Sequence, residues 1–436
     1  MILSSNPVLP MSAIRIREEL ARRSTTARAV LEQSLDVVAA REPTVHAWTL
    51  LGDAAARQWA DVLDGDADRR DRGLLAGIPV AVKDLMDTAD MPTAYGSAIY
   101  AGHQPARDAA CVARLREAGA TILGKTVTTE FAYFSPGATT NPWDASRTPG
   151  GSSSGSAAAV ASGMVPLALG SQTAGSLIRP ASYCGVFGLK PTHGVFCLQG
   201  VKGLSPSLDT LGWLARTADD LELMRCALLG EAFSPLERRP APGCRIGVLR
   251  THEWPEAQPD GQAAFDEAVR RLRASGMQLL EKRMPDEQAS LAEDQKRVMA
   301  YEAVNELAFE LKNHALALSH PLRELLNRGQ ALTRPEYLAA QLRAAIGRRV
   351  AQDLMADVDA LLVPAAPGEA PLGLDATGDP VFSRVWTLLG LPCVSVPGLR
   401  GLHGMPIGMQ LVGHPHQERA LLALAGSVHL VLDTPL

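Results

Sequence analysis

Gly150-Gly-Ser-Ser-Ser-Gly-Ser-Ala-Ala-Ala-Val-Ala161 and, three residues on, Val165-Pro-Leu-Ala-Leu-Gly-Ser-Gln-Thr-Ala-Gly-Ser176-Leu-Ile-Arg-Pro180 decide the reading of this 436-residue chain. Ser154 to about Ser162 is Ala-rich and helical, and the serines ahead of it suit a helix N-cap. Val165 to Leu169 reads as a strand, followed by a tight glycine turn, Gly170 to Ser176, able to display a hydroxyl above backbone amides. No Asp, Glu, Lys or Arg occurs from Thr148 to Ile178. That length raises the question of a membrane span, yet Pro149, Pro166 and the density of Gly and Ser deny the segment the apolar content of a spanning helix.

Working outward, the chain alternates helices and strands. Ser12 to about Ala40 reads as two helices, Gly77 to Lys83 as an apolar strand, Asp108 to Ala118 as a helix stopped by Gly119, and Ala120 to Leu123 as a strand. Tyr183 to Leu189 is strand-like and Thr217 to Leu229 helical. After a linker-like stretch, Pro235 to Gly243, come the strand Arg245–Leu249, the helix Gln262–Ala274, the strand Met277–Leu280 and a long helical region to about Asp357. Ala360–Val363, Pro392–Val396 and Ile407–Val412 complete the strands. This order predicts an α/β protein with helices covering a sheet, residues 1–60 supplying N-terminal helices.

Composition narrows the function. A net charge of −5, with 42 Lys and Arg against 47 Asp and Glu, and no basic run exclude a nucleic-acid or anionic-membrane surface. The first twenty residues lack the basic and apolar regions of a secretory leader. Six cysteines without a CxxC pair or scaffold density read as reduced thiols in a cytoplasmic protein.

Two motifs match a pattern and fail its context. Gly119-Ala-Thr-Ile-Leu-Gly124-Lys125-Thr126 fits the phosphate-binding loop, but its first Gly follows a helix and its middle is a strand, which cannot wrap a phosphate. Gly151-Ser-Ser153-Ser-Gly155 fits a nucleophile elbow, but a proline-containing loop, not a strand, precedes it. The histidines show no metal-ligand spacing. Lys83, at the end of an enclosed apolar strand, together with Ser152 and the Ser176 turn, is the constellation that remains.

These segments resemble the amidase signature family. The run Gly150 to Ala181, then Cys184-Gly-Val-Phe-Gly-Leu-Lys-Pro-Thr192, is similar to its long signature, with Gly77 to Asp84 and Gly124-Lys-Thr…Glu130-Phe-Ala132 upstream in the expected order. Asp87 to Thr93, Gln172-Thr173, Leu177-Ile-Arg179-Pro180 and Thr377…Trp386…Cys393 are similar to its malonamidase-like members. The resemblance implies a triad of Lys83, Ser152 and Ser176: Ser176 as acylated nucleophile, Ser152 after a cis peptide as proton relay, Lys83 as base. It implies an oxyanion hole from the N–H groups of Thr173, Ala174, Gly175 and Ser176, and no cofactor or metal. It also implies an α/β fold of one mixed sheet covered by helices on both sides, a single domain 1–436 with 77–192 as its catalytic core. Lys serves as a base only when neutral, against a reference pKa of about 10.4, so burial away from carboxylates must disfavour its ammonium. Asp84 beside it should point to the opposite face of the strand.

Departures bear on the substrate, a small-molecule amide. Gln172-Thr-Ala-Gly-Ser176 stands where many members carry Asp-Thr-Gly-Gly-Ser, and Arg179 falls three residues after the nucleophile. By resemblance Arg179 meets a substrate carboxylate; the alternative is a structural Arg paired internally. Tyr133 and Phe134 are expected to line the acyl pocket, with Trp386 a further candidate, and carboxylated, aryl or carbamate substrates remain open. The resemblance also implies a homodimer. Two alternatives stand beside this reading: the glutaminase subunit of a tRNA-dependent amidotransferase, and a nucleotide-binding protein using Gly119–Thr126.

Overall fold

The computed structural model describes residues 12–434 apart from 239. The first eleven residues, where no leader pattern was read, lie outside it. Among the described residues eleven strands form one sheet: β1 (Trp48–Leu51), β2 (Pro79–Lys83), β3 (Thr121–Thr126), β4 (Leu167–Gln172), β5 (Phe187–Lys190), β6 (Thr210–Ala215), β7 (Arg245–Leu249), β8 (Gln278–Lys282), β9 (Ala360–Pro364), β10 (Cys393–Arg400) and β11 (Pro406–Gly413). Their order across the sheet is β1-β3-β2-β4-β6-β5-β10-β11-β9-β7-β8. β3, β2 and β4 run parallel, as do β9, β7 and β8, and the strands between them are antiparallel. The linker-like stretch 235–243 leads from a helix into β7 and does not divide the sheet.

Side-chain alternation along the strands explains why both faces are covered. On β2, Val80 and Val82 enter one apolar cluster and Ala81 another; on β9, Leu362 enters the first and Leu361 and Val363 a third. Lys83 shares the parity of Ala81, so its side chain rises on the face covered by the helix Ser154–Ala161. That helix is buried almost throughout, with Ala157, Ala158, Ala159 and Val160 fully enclosed. The uncharged sequence Thr148–Ile178 is therefore interior: a charge there would be desolvated without a partner.

Some boundaries differ from the sequence reading. Tyr183 ends a helix, Ile178–Cys184, stopped by Gly185 in the left-handed region (φ 70°), and the strand begins only at Phe187. The strand read at Val165–Leu169 lies at Leu167–Gln172, beyond Pro166. The long helical region is four helices, Leu291–Glu306, Ala308–His314, His320–Ala331 and Arg334–Met355. In the last two Pro321 and Pro335 occupy the first turn, where a missing N–H costs nothing. β1 and β6 were not read at all, and β1 separates the helix Ala27–Val45 from the helix Asp53–Gly65 within residues 1–60.

Candidate active site

Lys83 ends β2 with no solvent exposure. Its Nζ lies 2.7 Å from Ser152 Oγ and 2.9 Å from Ser171 Oγ, at the end of neighbouring β4. Burial drives its pKa down to about 7, opposed by the charge of Asp209. Asp84 takes no part: its carboxylate pairs with Lys125 at 3.0 Å. A neutral Lys83 can accept a proton from Ser152, and an ammonium can donate one back along the same contact.

Ser152 follows a cis peptide bond from Gly151. Gly150 ahead of it has φ 82°, a conformation open to glycine at little cost, and a Cβ there would press on Pro180 at 2.9 Å. Ser176 sits on the turn after β4, and the segment carrying Ser152 is tied to it where the Ser153 N–H donates to the Ser176 carbonyl at 3.3 Å. Ser152 and Ser176 both line one narrow pocket, together with Thr173, Ala174 and Arg179. The backbone N–H groups of Ala174, Gly175 and Ser176 donate no hydrogen bond among the described residues, which leaves them free for an oxyanion.

Side chains from distant segments hold this turn. Gln172 Oε1 accepts from the N–H groups of Leu177 and Ile178 at 2.9 and 3.1 Å, capping the following helix, and its Nε2 donates to Thr387 Oγ1 at 2.9 Å. Thr387 in turn donates to the Ala174 carbonyl at 2.7 Å. Gln295 Nε2 donates to the Thr173 carbonyl at 2.9 Å, and Gln295 Oε1 accepts from Arg384 at 3.0 Å. The Thr173 hydroxyl donates to Asp209 at 2.5 Å.

Arg179 is buried in the pocket wall. Its Nη2 donates to the Gly151 carbonyl at 2.5 Å and to Thr377 Oγ1 at 3.1 Å, while Nε and Nη1 have no partner. Burial lowers its pKa to about 10, and no carboxylate lies in salt-bridge contact with it among the described residues. The Phe134 ring stacks 5.6 Å from the guanidinium. Phe134 and Tyr133 line the pocket, with the Tyr133 hydroxyl accepting from Arg328 at 3.1 Å. Trp386 does not line it; the indole is fully enclosed in the core on the helix Val381–Leu388.

The chain is similar to known proteins over nearly its whole length. The Amidase family model matches residues 29–422. The chain belongs to the amidase family. A glutamyl-tRNA(Gln) amidotransferase subunit from Anaeromyxobacter dehalogenans is 34% identical, the match covering 97% of this chain and 96% of that protein. A crystal structure of an amidase superposes with a TM-score of 0.87 at 33% identity, covering 97% and 100% of the two chains. Peptide amidase from Stenotrophomonas maltophilia gives a TM-score of 0.78 at 27% identity over 98% of each chain. This amidase is an amide hydrolase built on the fold the sequence implied.

In this family member the sequence reading missed Ser171, Asp209 and Gln295, and it placed Thr377 and Thr387 only within a resembling stretch, without their contacts to Arg179 and to the Ser176 turn. Ser171 had a signal: β4 runs parallel beside β2, so its end had to lie near Lys83. Asp209 and Gln295 are single polar residues distant in sequence from their partners on Thr173. The phosphate-loop match fails as its context implied: Lys125 is buried, bound to Asp84, to Thr93 Oγ1 at 2.5 Å and to the Met86 carbonyl at 2.8 Å. Among the described residues no helix is long and apolar enough to cross a membrane, and no disulfide joins the cysteines.

Proposed function

We propose that this amidase hydrolyses the C–N bond of a small amide bearing a carboxylate, through an acyl-enzyme on Ser176. The Lys83–Ser152 contact in a buried setting carries the reading. Neutral Lys83 takes the proton of Ser152 as Ser152 takes that of Ser176, whose Oγ attacks the amide carbon. The oxyanion is received by the N–H groups of Thr173, Ala174, Gly175 and Ser176. The proton returns through Ser152 to the leaving nitrogen, the C–N bond breaks, and water repeats the sequence on the ester to release the acid. Donors of this kind are worth about 2.7–4 kcal/mol each in other hydrolases. Lys83, Ser152 and Ser176 are the catalytic residues of this reading, and no metal enters it.

The unpartnered Nε and Nη1 of Arg179 support the carboxylate. A buried guanidinium with open donors and no internal acid suits a planar two-oxygen acceptor. The test is a panel of malonamate, aryl acetamides, short aliphatic amides and an aryl carbamate, run on wild type, Ser176→Ala and Arg179→Ala. Ser176→Ala is expected to abolish hydrolysis, and Arg179→Ala to raise KM for malonamate at least tenfold while neutral amides keep theirs. Unchanged malonamate turnover in Arg179→Ala sinks the carboxylate.

The amidotransferase relatives favour a second reading, a glutaminase subunit for a partner complex. It expects glutamine hydrolysis that rises when the partner proteins are added. The free-standing enzyme is expected to be a cytoplasmic homodimer.

A further inference from the structure

Asp209 is out of place in a site that needs a neutral lysine. It lies at the start of β6, beyond the loop Gly203 to Leu208, and no sequence motif marks it. Its Oδ1 accepts from the Thr173 hydroxyl at 2.5 Å, and its Oδ2 accepts from the N–H groups of Leu204 and Ser205 at 2.8 and 2.9 Å. Among the described residues no Lys, Arg or His pairs with it. Other acids surround it: Glu302, on the helix Leu291–Glu306, binds Ser205 and Ser207 in the same loop, and a Cβ on Gly203 would meet Glu306 at 2.6 Å and Asp209 at 3.6 Å. Its field favours the ammonium of Lys83. Such a carboxylate raises the cost of keeping the base neutral, so a structural filler would serve better as a neutral residue.

What it gains is the nucleophile turn. The other side-chain ties to that turn and its flank are neutral amide and hydroxyl contacts from Gln172, Thr387 and Gln295, and Asp209 supplies the charge-assisted one, the stronger kind. It grips the residue that opens the turn, and Thr173 is held from both sides, by its hydroxyl and by its carbonyl.

We propose that Asp209 is a positioning residue for amide hydrolysis, its carboxylate holding the Thr173 hydroxyl so that the N–H groups of the Thr173–Ser176 turn stay aimed at the oxyanion. This rests on the acyl-enzyme reading given above. Burial pushes the Asp209 carboxyl up to about 6, so it is ionised where Lys83 becomes neutral, and both conditions are met on the same side of neutrality.

The experiment compares purified Asp209→Asn, Thr173→Val, Thr173→Ser and the Asp209→Asn/Thr173→Val double variant on the best amide of the panel, with kcat, KM and the pH profile of kcat/KM. Each of the first two is expected to lower kcat roughly 10- to 100-fold, the scale of a misplaced reacting group, with KM within about threefold. Thr173→Ser keeps the hydroxyl and is expected to keep most of kcat. The double variant should be no worse than the poorer single one, as for two ends of one contact. In Asp209→Asn the acid limb of the profile should move to lower pH, because the field favouring charged Lys83 is gone. A wild-type kcat in either single variant, multiplicative losses in the double, or an unmoved limb overturns the inference. If Asp209→Asn does not fold, the Thr173 pair decides alone. Ser176→Ala separates the layers: activity there removes the acyl-enzyme reading, whereas an inactive Ser176→Ala beside a wild-type Asp209→Asn removes only this one.

Discussion

At the scale of the residue, the proposed chemistry turns on one amine. Lys83 is close enough to Ser152 to exchange a proton, and burial brings its pKa to about 7. The acid limb of kcat/KM should therefore fall near pH 7, activity dropping tenfold per unit below it as the ammonium forms. A limb near pH 10, or none between pH 5 and 9, would show that Lys83 is not the base. That Lys83 and Ser152 meet was legible only from the constellation, since a strand-end lysine by itself more often reaches solvent, whereas the glycine-rich signature frames both Ser152 and Ser176. The contacts of Asp209, Thr377 and Thr387 were not legible. Each is one polar residue whose importance comes from a neighbour some 36 to 213 positions away in sequence, and neither periodicity nor spacing encodes such a neighbour. Trp386 shows the reverse error, since a large aromatic near a matching motif is more often core, and here it is fully buried.

At the scale of the element, the turn carrying Ser176 is a hub where β4, the helix Ile178–Cys184 and the helix Val381–Leu388 meet. Gly175 is required at that meeting: a Cβ would sit 2.6 Å from Pro380 and 3.1 Å from Ser383 on the neighbouring segment. Thr387 is the hinge pin, accepting from Gln172 and donating to the Ala174 carbonyl. Thr387→Val keeps the shape and strands both partners, which should cost about 1–3 kcal/mol, the penalty for buried polar groups left unpaired. Urea unfolding should report that loss and steady-state kinetics a several-fold lower kcat, with Thr387→Ser restoring both; a Val variant as stable and active as wild type would show that the turn holds itself. The elements were readable where their period was clean. Helix Ser154–Ala161 and β7 fell where composition put them. β6 (Thr-Leu-Gly-Trp-Leu-Ala) offers no polar alternation because it is buried on both faces, and β1 is four residues long; such strands give periodicity too little to work on.

At the scale of the whole molecule, function and stability oppose each other at Lys83. The unfolded chain holds its ammonium protonated up to about pH 10.4, while the folded protein releases that proton near pH 7. Between those values the unfolded state binds more protons, so the Lys83 contribution to stability rises with pH across this window and is flat below it. The shift corresponds to about 5 kcal/mol held against folding at neutral pH. Other buried groups titrate too: Lys125 and Lys190 have lowered pKa values, and Asp209 is raised, which makes it lose stability as pH climbs from about 4 to 6. A difference measurement isolates the lysine. Lys83→Met fills the same space without charge but leaves the Ser152 and Ser171 hydroxyls without their amine partner, a loss of roughly 1–3 kcal/mol. At pH 7 the variant should be catalytically silent yet more stable than wild type by a few kcal/mol. The gap should close as pH approaches 10 and change sign once wild-type Lys83 no longer carries the linkage. Urea melts of both proteins from pH 6 to 10 read the gap directly, and a difference that stays constant with pH would mean that Lys83 is equally protonated in the folded and unfolded chains, leaving the fold with no neutral amine to offer the serines.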